Sequence, residues 1–215
     1  MGKPLVVLAI NGRPPSYPNV AAKANALLEC WYPGQEGGTA MAEALFGDVN
    51  PGAKLPVTVA RDVAQVPLYY YAHPTPRLDA APGDDAPLFP FGFGLSYTTF
   101  ALSAPRLSAG RIRAGAGVVV EVDVRNTGTR AGDEVVQVYV RDRLASVVRP
   151  AKLLRGFARV GLAAGETRNV RIALEAPAFT LWNLAMKEVV EPGYFDILTG
   201  PDSRDLQAAA LEIIA

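Results

Sequence analysis

The chain has 215 residues, half of them hydrophobic, enough to bury one large core or two modest ones, which excludes a disordered chain. Acidic and basic side chains balance at 21 of each and no basic run occurs, so a nucleic-acid partner, whose phosphates need clustered Lys and Arg, is excluded as well. Cys30 is the single cysteine and rules out an internal disulfide framework, and no apolar run reaches membrane-spanning length.

In chain order, MGKPLVVLAINGRPP holds an apolar run only from Leu5 to Ile10, shorter than a signal-peptide core and followed by no small-residue cleavage site. That run reads as a strand covered on both faces, as in parallel sheets. A chain starting directly on such a strand reads as a piece of something larger. Asn11 to Pro15 stops the strand. Ala21 to Leu28 has the composition of a short helix, and Ala26 to Trp31 leads into a second strand ended by Tyr32-Pro33-Gly34. Thr39 is placed to cap a helix with Met41, Ala42, Ala44, Leu45 and Phe46 at helical spacing, which Gly47 closes. Strand, helix, strand, helix make an α/β unit over residues 1–66.

Asn50-Pro51-Gly52 is a turn, and Leu55 to Val59 a short extended strand that Pro56 keeps at an edge. Residues 67–95 read as a connecting arm: six prolines from Pro67 to Pro90 deny regular hydrogen bonding around Tyr69, Tyr70, Tyr71, His73 and the Asp84-Asp85 pair. The arm runs into PLFPFGFGLSYTTF, Pro87 to Phe100. Its Phe89, Phe91 and Phe93 share one face if the chain is extended, and Gly92 and Gly94 let the backbone bend or approach another surface. This stretch reads as a packed seam between two halves.

Residues 96–215 change to an all-β signal. Val118 to Val124 and Glu134 to Val140 alternate apolar and polar residues around the turn Asn126-Thr127-Gly128 and read as neighbouring strands. Leu153 to Val160, Thr167 to Leu174, Tyr194 to Thr199 and Ala208 to Ile214 complete the strands of a β-sandwich, although the last has a composition that equally suits a helix.

The ordered set NGRP (Asn11 to Pro14), WYPGQEGG (Trp31 to Gly38), LFGDVNP (Leu45 to Pro51), KLPVT (Lys54 to Thr58), PFGFGLSYTTF, NTG and GDEVVQVYVRD (Gly132 to Asp142) resembles the C-terminal part of family 3 glycoside hydrolases. RPAKLLRGFARVGLAAGET, LWNLAMK and EPGYFDILTGPDSRD extend the resemblance over nearly the whole chain, nearest to the periplasmic β-glucosidases of Gram-negative bacteria. The resemblance implies a complete enzyme of three modules: a TIM-like barrel, an α/β sandwich and a fibronectin type III-like sandwich. This chain then holds an α/β fragment, the end of the second module, followed by the whole of the third. The implied nucleophilic aspartate lies on the barrel and the implied acid/base glutamate ahead of Leu5, so the pair of carboxyls about 5 Å apart that retaining hydrolysis requires is not expected here. The implied partners are the N-terminal barrel and the first part of the α/β domain, with the oligosaccharide bound only by the complete enzyme. A homo-oligomer is compatible with this reading, the location is periplasmic or secreted, and no cofactor or metal is implied. The chain departs from its relatives at Pro15-Ser16-Tyr17 and in the arm from Tyr70 to Arg77.

Four residues are candidates for substrate proximity or domain docking: Glu36, Trp31, Tyr70 and Arg77. Glu36 sits on a glycine-flanked loop after a predicted strand, where α/β folds carry functional groups, but bracing of the loop or docking on the barrel is the favoured role over catalysis. Trp31 and the tyrosines can stack on sugar rings or pack one domain on another, and the apolar flanks of Trp31 favour packing. His73 is the only histidine, and no G-x-S-x-G elbow accompanies it. One histidine and one cysteine give no zinc constellation. Asp48 reads as a turn or cap residue, Cys30 as a small buried residue, and Trp182 as a loop-edge residue with no second aromatic beside it. The other reading, a stand-alone carbohydrate-binding or protein-interaction module, uses the same residues without an enzyme. A truncated gene product with no independent role is a third.

Overall fold

A computed structural model of the chain describes residues 2–73 and 86–215. Val6–Ala9 (β1) and Ala26–Glu29 (β2) are parallel neighbours, with Val6 opposite Ala26 and Ala9 opposite Glu29. Pro18–Lys23 (α1) connects them and begins earlier than the helix expected over Ala21 to Leu28. The cause is local. Pro18 occupies a first-turn position where its missing N–H is no loss. Asn25 then ends the helix by pairing with Leu5: its Oδ1 accepts from Leu5 N–H at 2.8 Å and its own N–H donates to the Leu5 carbonyl at 2.8 Å.

Gly37–Phe46 (α2) follows β2 and ends at Gly47, whose φ of 84° is the left-handed closure that glycine allows. Thr39 lies inside the first turn and does not cap it; Glu36 holds the N-cap position without a side-chain hydrogen bond. Over Leu55 to Val59 the expected strand is reduced to a single bridge from Val59 to Phe89, because Pro56 offers no donor to a ladder.

The Phe-Gly stretch doubles back along that segment. Leu55 N–H donates to the Phe93 carbonyl and Gly92 N–H to the Leu55 carbonyl, both at 2.8 Å. Gly92, at φ 82°, lies where the chain reverses, so the three phenylalanines do not share a face: Phe89 stacks on Phe93 at 5.3 Å, while Phe91 stacks on Tyr70 at 4.3 Å. The single-face expectation fails because it assumed an extended backbone through a glycine that turns.

The rest is β structure: Phe100–Leu102 (β3), Arg106–Leu107 (β4), Arg111–Arg113 (β5), Val118–Asn126 (β6), Gly132–Asp142 (β7), Leu153–Leu162 (β8), Thr167–Leu174 (β9), Leu181–Trp182 (β10), Glu188–Val189 (β11), Gly193–Gly200 (β12) and Gln207–Ile214 (β13). One sheet runs β5-β13-β12-β7-β8; in the other, β6 pairs with β3, β4 and β9. β10 and β11 form a separate short hairpin.

Alternation in β6 does what a period of two requires. Val118, Val120, Val122 and Val124 are 3%, 0%, 0% and 0% exposed; beside Ile172 and Leu174 of neighbouring β9, they join Val136 and Val138 of β7, Phe195 and Ile197 of β12 and Leu211 of β13, from the other sheet, in one core. Each such burial is worth on the order of 1.5–3 kcal/mol. β6 and β7, expected as neighbours, belong to opposite sheets, since alternation fixes which face turns inward but not which strand lies alongside. No helix among the described residues is long and apolar enough to cross a membrane.

Candidate functional site

The α/β unit and the sandwich meet in a dense polar seam. The carboxyl end of α2 is capped from the sandwich side: Tyr97 Oη donates at 2.6 Å to the Ala44 carbonyl, which also accepts the Gly47 N–H at 3.3 Å, and Arg130 Nη2 donates to the Gly47 carbonyl at 2.8 Å. The guanidinium also lies 5.6 Å above the Tyr97 ring and complements the negative end of the helix. Asn50 donates to the Ala131 carbonyl at 2.9 Å and accepts from Ser96 Oγ at 3.0 Å and Tyr97 N–H at 2.8 Å. At its centre Lys54 Nζ lies 2.8 Å from Glu134 Oε1 and donates to the Gly94 carbonyl at 2.9 Å, the two charged side chains being only 12% and 8% exposed.

Next to it, Gln137 Nε2 donates to the Gly92 and Pro201 carbonyls, and Tyr139 Oη donates to Gln137 Oε1 at 2.6 Å. A Cβ on Gly92 would fall 2.1 Å from that same Oε1, so glycine is required there for space as well as for its φ. Burial, followed by the neighbouring Tyr70 and Asp202, pushes the Tyr139 phenol above its ordinary value of 10.0. Fully buried Asn126 of the NTG turn is saturated: it accepts from Thr98 Oγ1 and Gly128 N–H and donates to the Arg130 and Leu162 carbonyls.

Tyr70 stacks on Phe91, meets Tyr139 edge-on at 5.7 Å and accepts from Leu154 N–H at 3.2 Å, which ties the arm to the sandwich. Tyr69 and Tyr71 stack on each other at 5.2 Å with 54% and 38% of their surfaces exposed, around a turn closed by Ala72 N–H on the Tyr69 carbonyl. Arg77 and the Asp84-Asp85 pair lie outside the described residues.

Trp31 and Glu36 belong to the loop between β2 and α2, at the carboxyl end of the parallel strands. Glu36 is exposed, and Trp31, half-buried, adopts φ 51°, a left-handed conformation unusual for a bulky side chain. Sequence reasoning passed over Glu29, the last residue of β2, whose carboxylate accepts from Asn11 Nδ2, Tyr17 Oη and Trp31 N–H. A carboxylate closing a predicted parallel strand beside a tryptophan was the available signal. Cys30, next in the chain, is half-buried, and burial followed by the charge of Glu29 pushes its thiol up, away from the reactive thiolate.

An open groove of about 550 Å³ lies between β8 and β9, lined by residues such as Leu154, Arg155, Phe157, Arg171 and Ile172 with no carboxylate among them. It therefore lacks the acid/base and nucleophile of a glycosidase. Among the described residues no three His, Cys, Asp or Glu side chains are grouped to hold a metal ion.

Known proteins place this arrangement. Residues 1–97 match the glycosyl hydrolase family 3 C-terminal domain and residues 134–203 the fibronectin type III-like domain. A β-xylosidase of Formosa agariphila is 46% identical over 99% of this chain and 30% of its own length, and a periplasmic β-glucosidase of Salmonella typhimurium 40% identical over 99% and 29%. Among solved structures, a β-glucosidase of Erythrobacter marinus superposes with a TM-score of 0.92 at 46% identity over 97% of this chain and 28% of that one. The β-glucosidase of Listeria innocua in complex with glucose gives 0.92 at 35% identity over 100% and 31%. The chain spans less than a third of the length of these relatives. It belongs to glycoside hydrolase family 3 and carries that family's C-terminal domain followed by the fibronectin type III-like domain.

Proposed function

We propose that the chain is the bracing C-terminal part of a β-glucosidase-type hydrolase, whose substrates are terminal β-linked glucosyl residues of oligosaccharides. Residues 1–66 complete an α/β sandwich domain, residues 67–95 link it to the next module, and residues 96–215 form the β-sandwich that supports it. The seam carries this reading. A helix terminus capped from the neighbouring unit and a nearly buried Lys54–Glu134 pair fix the α/β unit on the sandwich, as a scaffold must. The nucleophile and acid/base belong to the barrel and the earlier α/β segment, with which Trp31 and Glu36 make docking contacts, while Tyr70 secures the arm. The open edges of the β1–β2 pair await the strands of that earlier segment, and in its absence favour self-association. The Salmonella relative, named periplasmic, supports a periplasmic location.

The name of the 46% identical Formosa relative favours a second reading, a β-xylosidase. Hydrolysis of aryl β-glucoside and aryl β-xyloside by the full-length protein separates the two. Preference for the glucoside is expected, preference for the xyloside selects the second reading, and turnover of neither refutes both.

A further inference from the structure

Glu29 ends β2 at the carboxyl end of the parallel pair, where the loops of open α/β sheets carry their functional groups. Its carboxylate gathers donors from two loops. Asn11 Nδ2 lies 3.1 Å from Oε1 and 3.0 Å from Oε2, and Tyr17 Oη donates to Oε2 at 3.2 Å, both from the β1–α1 connection. The N–H of Trp31, the second residue of the β2–α2 connection, donates to Oε1 at 3.3 Å. The two loops also touch directly: a Cβ on Gly12 would fall 2.0 Å from Tyr32 Oη.

Trp31, at φ 51°, sits in a conformation that costs a bulky residue free energy and persists only where its surroundings hold it. The carboxylate two residues earlier does so by accepting the Trp31 amide while both its oxygens are anchored across to the other loop. Burial first, and then the charge of Glu29, push the Tyr17 phenol up to about 12, so Tyr17 remains a donor throughout the neutral range.

We propose that Glu29 is a positioning residue: it clamps the β1–α1 loop to the β2–α2 loop, locks Trp31 in its left-handed conformation, and thereby presents the Trp31 to Glu36 loop in a single conformation. The clamp follows from the geometry of this chain alone, whereas its consequence for turnover rests on the proposed reading of the chain as part of a glycosidase.

Amide exchange by NMR on this chain tests the clamp. In Glu29→Gln, which keeps the shape and removes the charge, the Cys30 and Trp31 amides are expected to exchange about tenfold faster or more, with Val120 and Val122 of β6 unchanged as the control for folding. The Tyr17 phenol, titrated by absorbance, moves from about 12 back toward its ordinary value of 10.0. The double variant Asn11→Asp with Glu29→Gln, which exchanges carboxylate and amide across the two loops, is expected to restore most of the protection. Unchanged exchange at Trp31 in Glu29→Gln overturns the clamp, and a double variant as loose as the single overturns the pairing as its origin. In the full-length protein Glu29→Gln is expected to lower kcat/KM about ten- to hundredfold through a misplaced loop. An unchanged kcat/KM together with a loosened loop overturns the positioning role. A wild-type protein without glycosidase activity instead refutes the reading of function, and the exchange data then decide the clamp.

Discussion

Removal of the ammonium in Lys54→Met tests how the two units are held together. Lys54 and Glu134 lie 2.8 Å apart with 12% and 8% of their side chains exposed. At an effective dielectric of about 20, two unit charges at that separation attract by about 6 kcal/mol, and desolvation of the pair takes back several of these. The intact pair is therefore worth little net, but the single change strands a buried carboxylate whose remaining polar contact is Val135 N–H at 2.7 Å. The expected loss is about 3–5 kcal/mol. Adding Glu134→Leu should return most of it, a coupling of about 3 kcal/mol in the double-mutant cycle. Urea unfolding reads this on both sides of the seam, because the two tryptophans, Trp31 and Trp182, stand one in each unit and can be separated by Trp→Phe backgrounds. A Lys54→Met cost below about 1 kcal/mol, or a double variant as costly as the sum of the two singles, would refute the seam as a coupled unit.

Three further outcomes follow from the same structure. Gly92→Ala places a methyl 2.1 Å from Gln137 Oε1 at φ 82°, so strain and broken buried hydrogen bonds should together cost about 2–4 kcal/mol in chemical unfolding; a loss under about 1 kcal/mol would contradict the close approach. The folded chain keeps protons on Tyr17 and Tyr139 that the unfolded chain releases near pH 10.0, so stability is fully present below that pH and falls as pH rises above it; Tyr139→Phe should flatten the fall, and an equally steep one would dismiss Tyr139 as its source. Residues before Pro67 should show weaker amide protection than those after Phe100, because β1 and β2 form a two-stranded sheet with Leu5, Val6 and Ile10 at 48%, 48% and 56% exposure; the reverse order would contradict the division into a supported unit and its support.

The sandwich was legible because strands such as β6 and β9 keep a period of two: Thr167–Leu174 has the expected bounds, and the four β6 valines are all buried. What alternation does not encode is the partner, and so β6 and β7 were paired in sequence but lie in opposite sheets. Local chemistry misled at two points. Pro18 starts α1 ahead of its alanine-rich stretch, and Gly92 reverses a stretch whose aromatic spacing reads as extended. The decisive contacts of the seam join residues 80 apart or more, Lys54 to Glu134 and Gly47 to Arg130, and no local pattern announces them. Glu29 is different in kind, since its place at the end of a predicted strand was readable, while its three donors depend on how two loops fold toward each other.

The central claim is that the chain braces a hydrolase without holding its catalytic carboxyls. Its most direct test is an assay of this purified chain alone on aryl β-glucosides and β-xylosides. No turnover above the blank is expected, in the wild type and in Glu36→Gln alike. Turnover by the chain that disappears in Glu36→Gln would place the chemistry on the loop after β2 and contradict the claim.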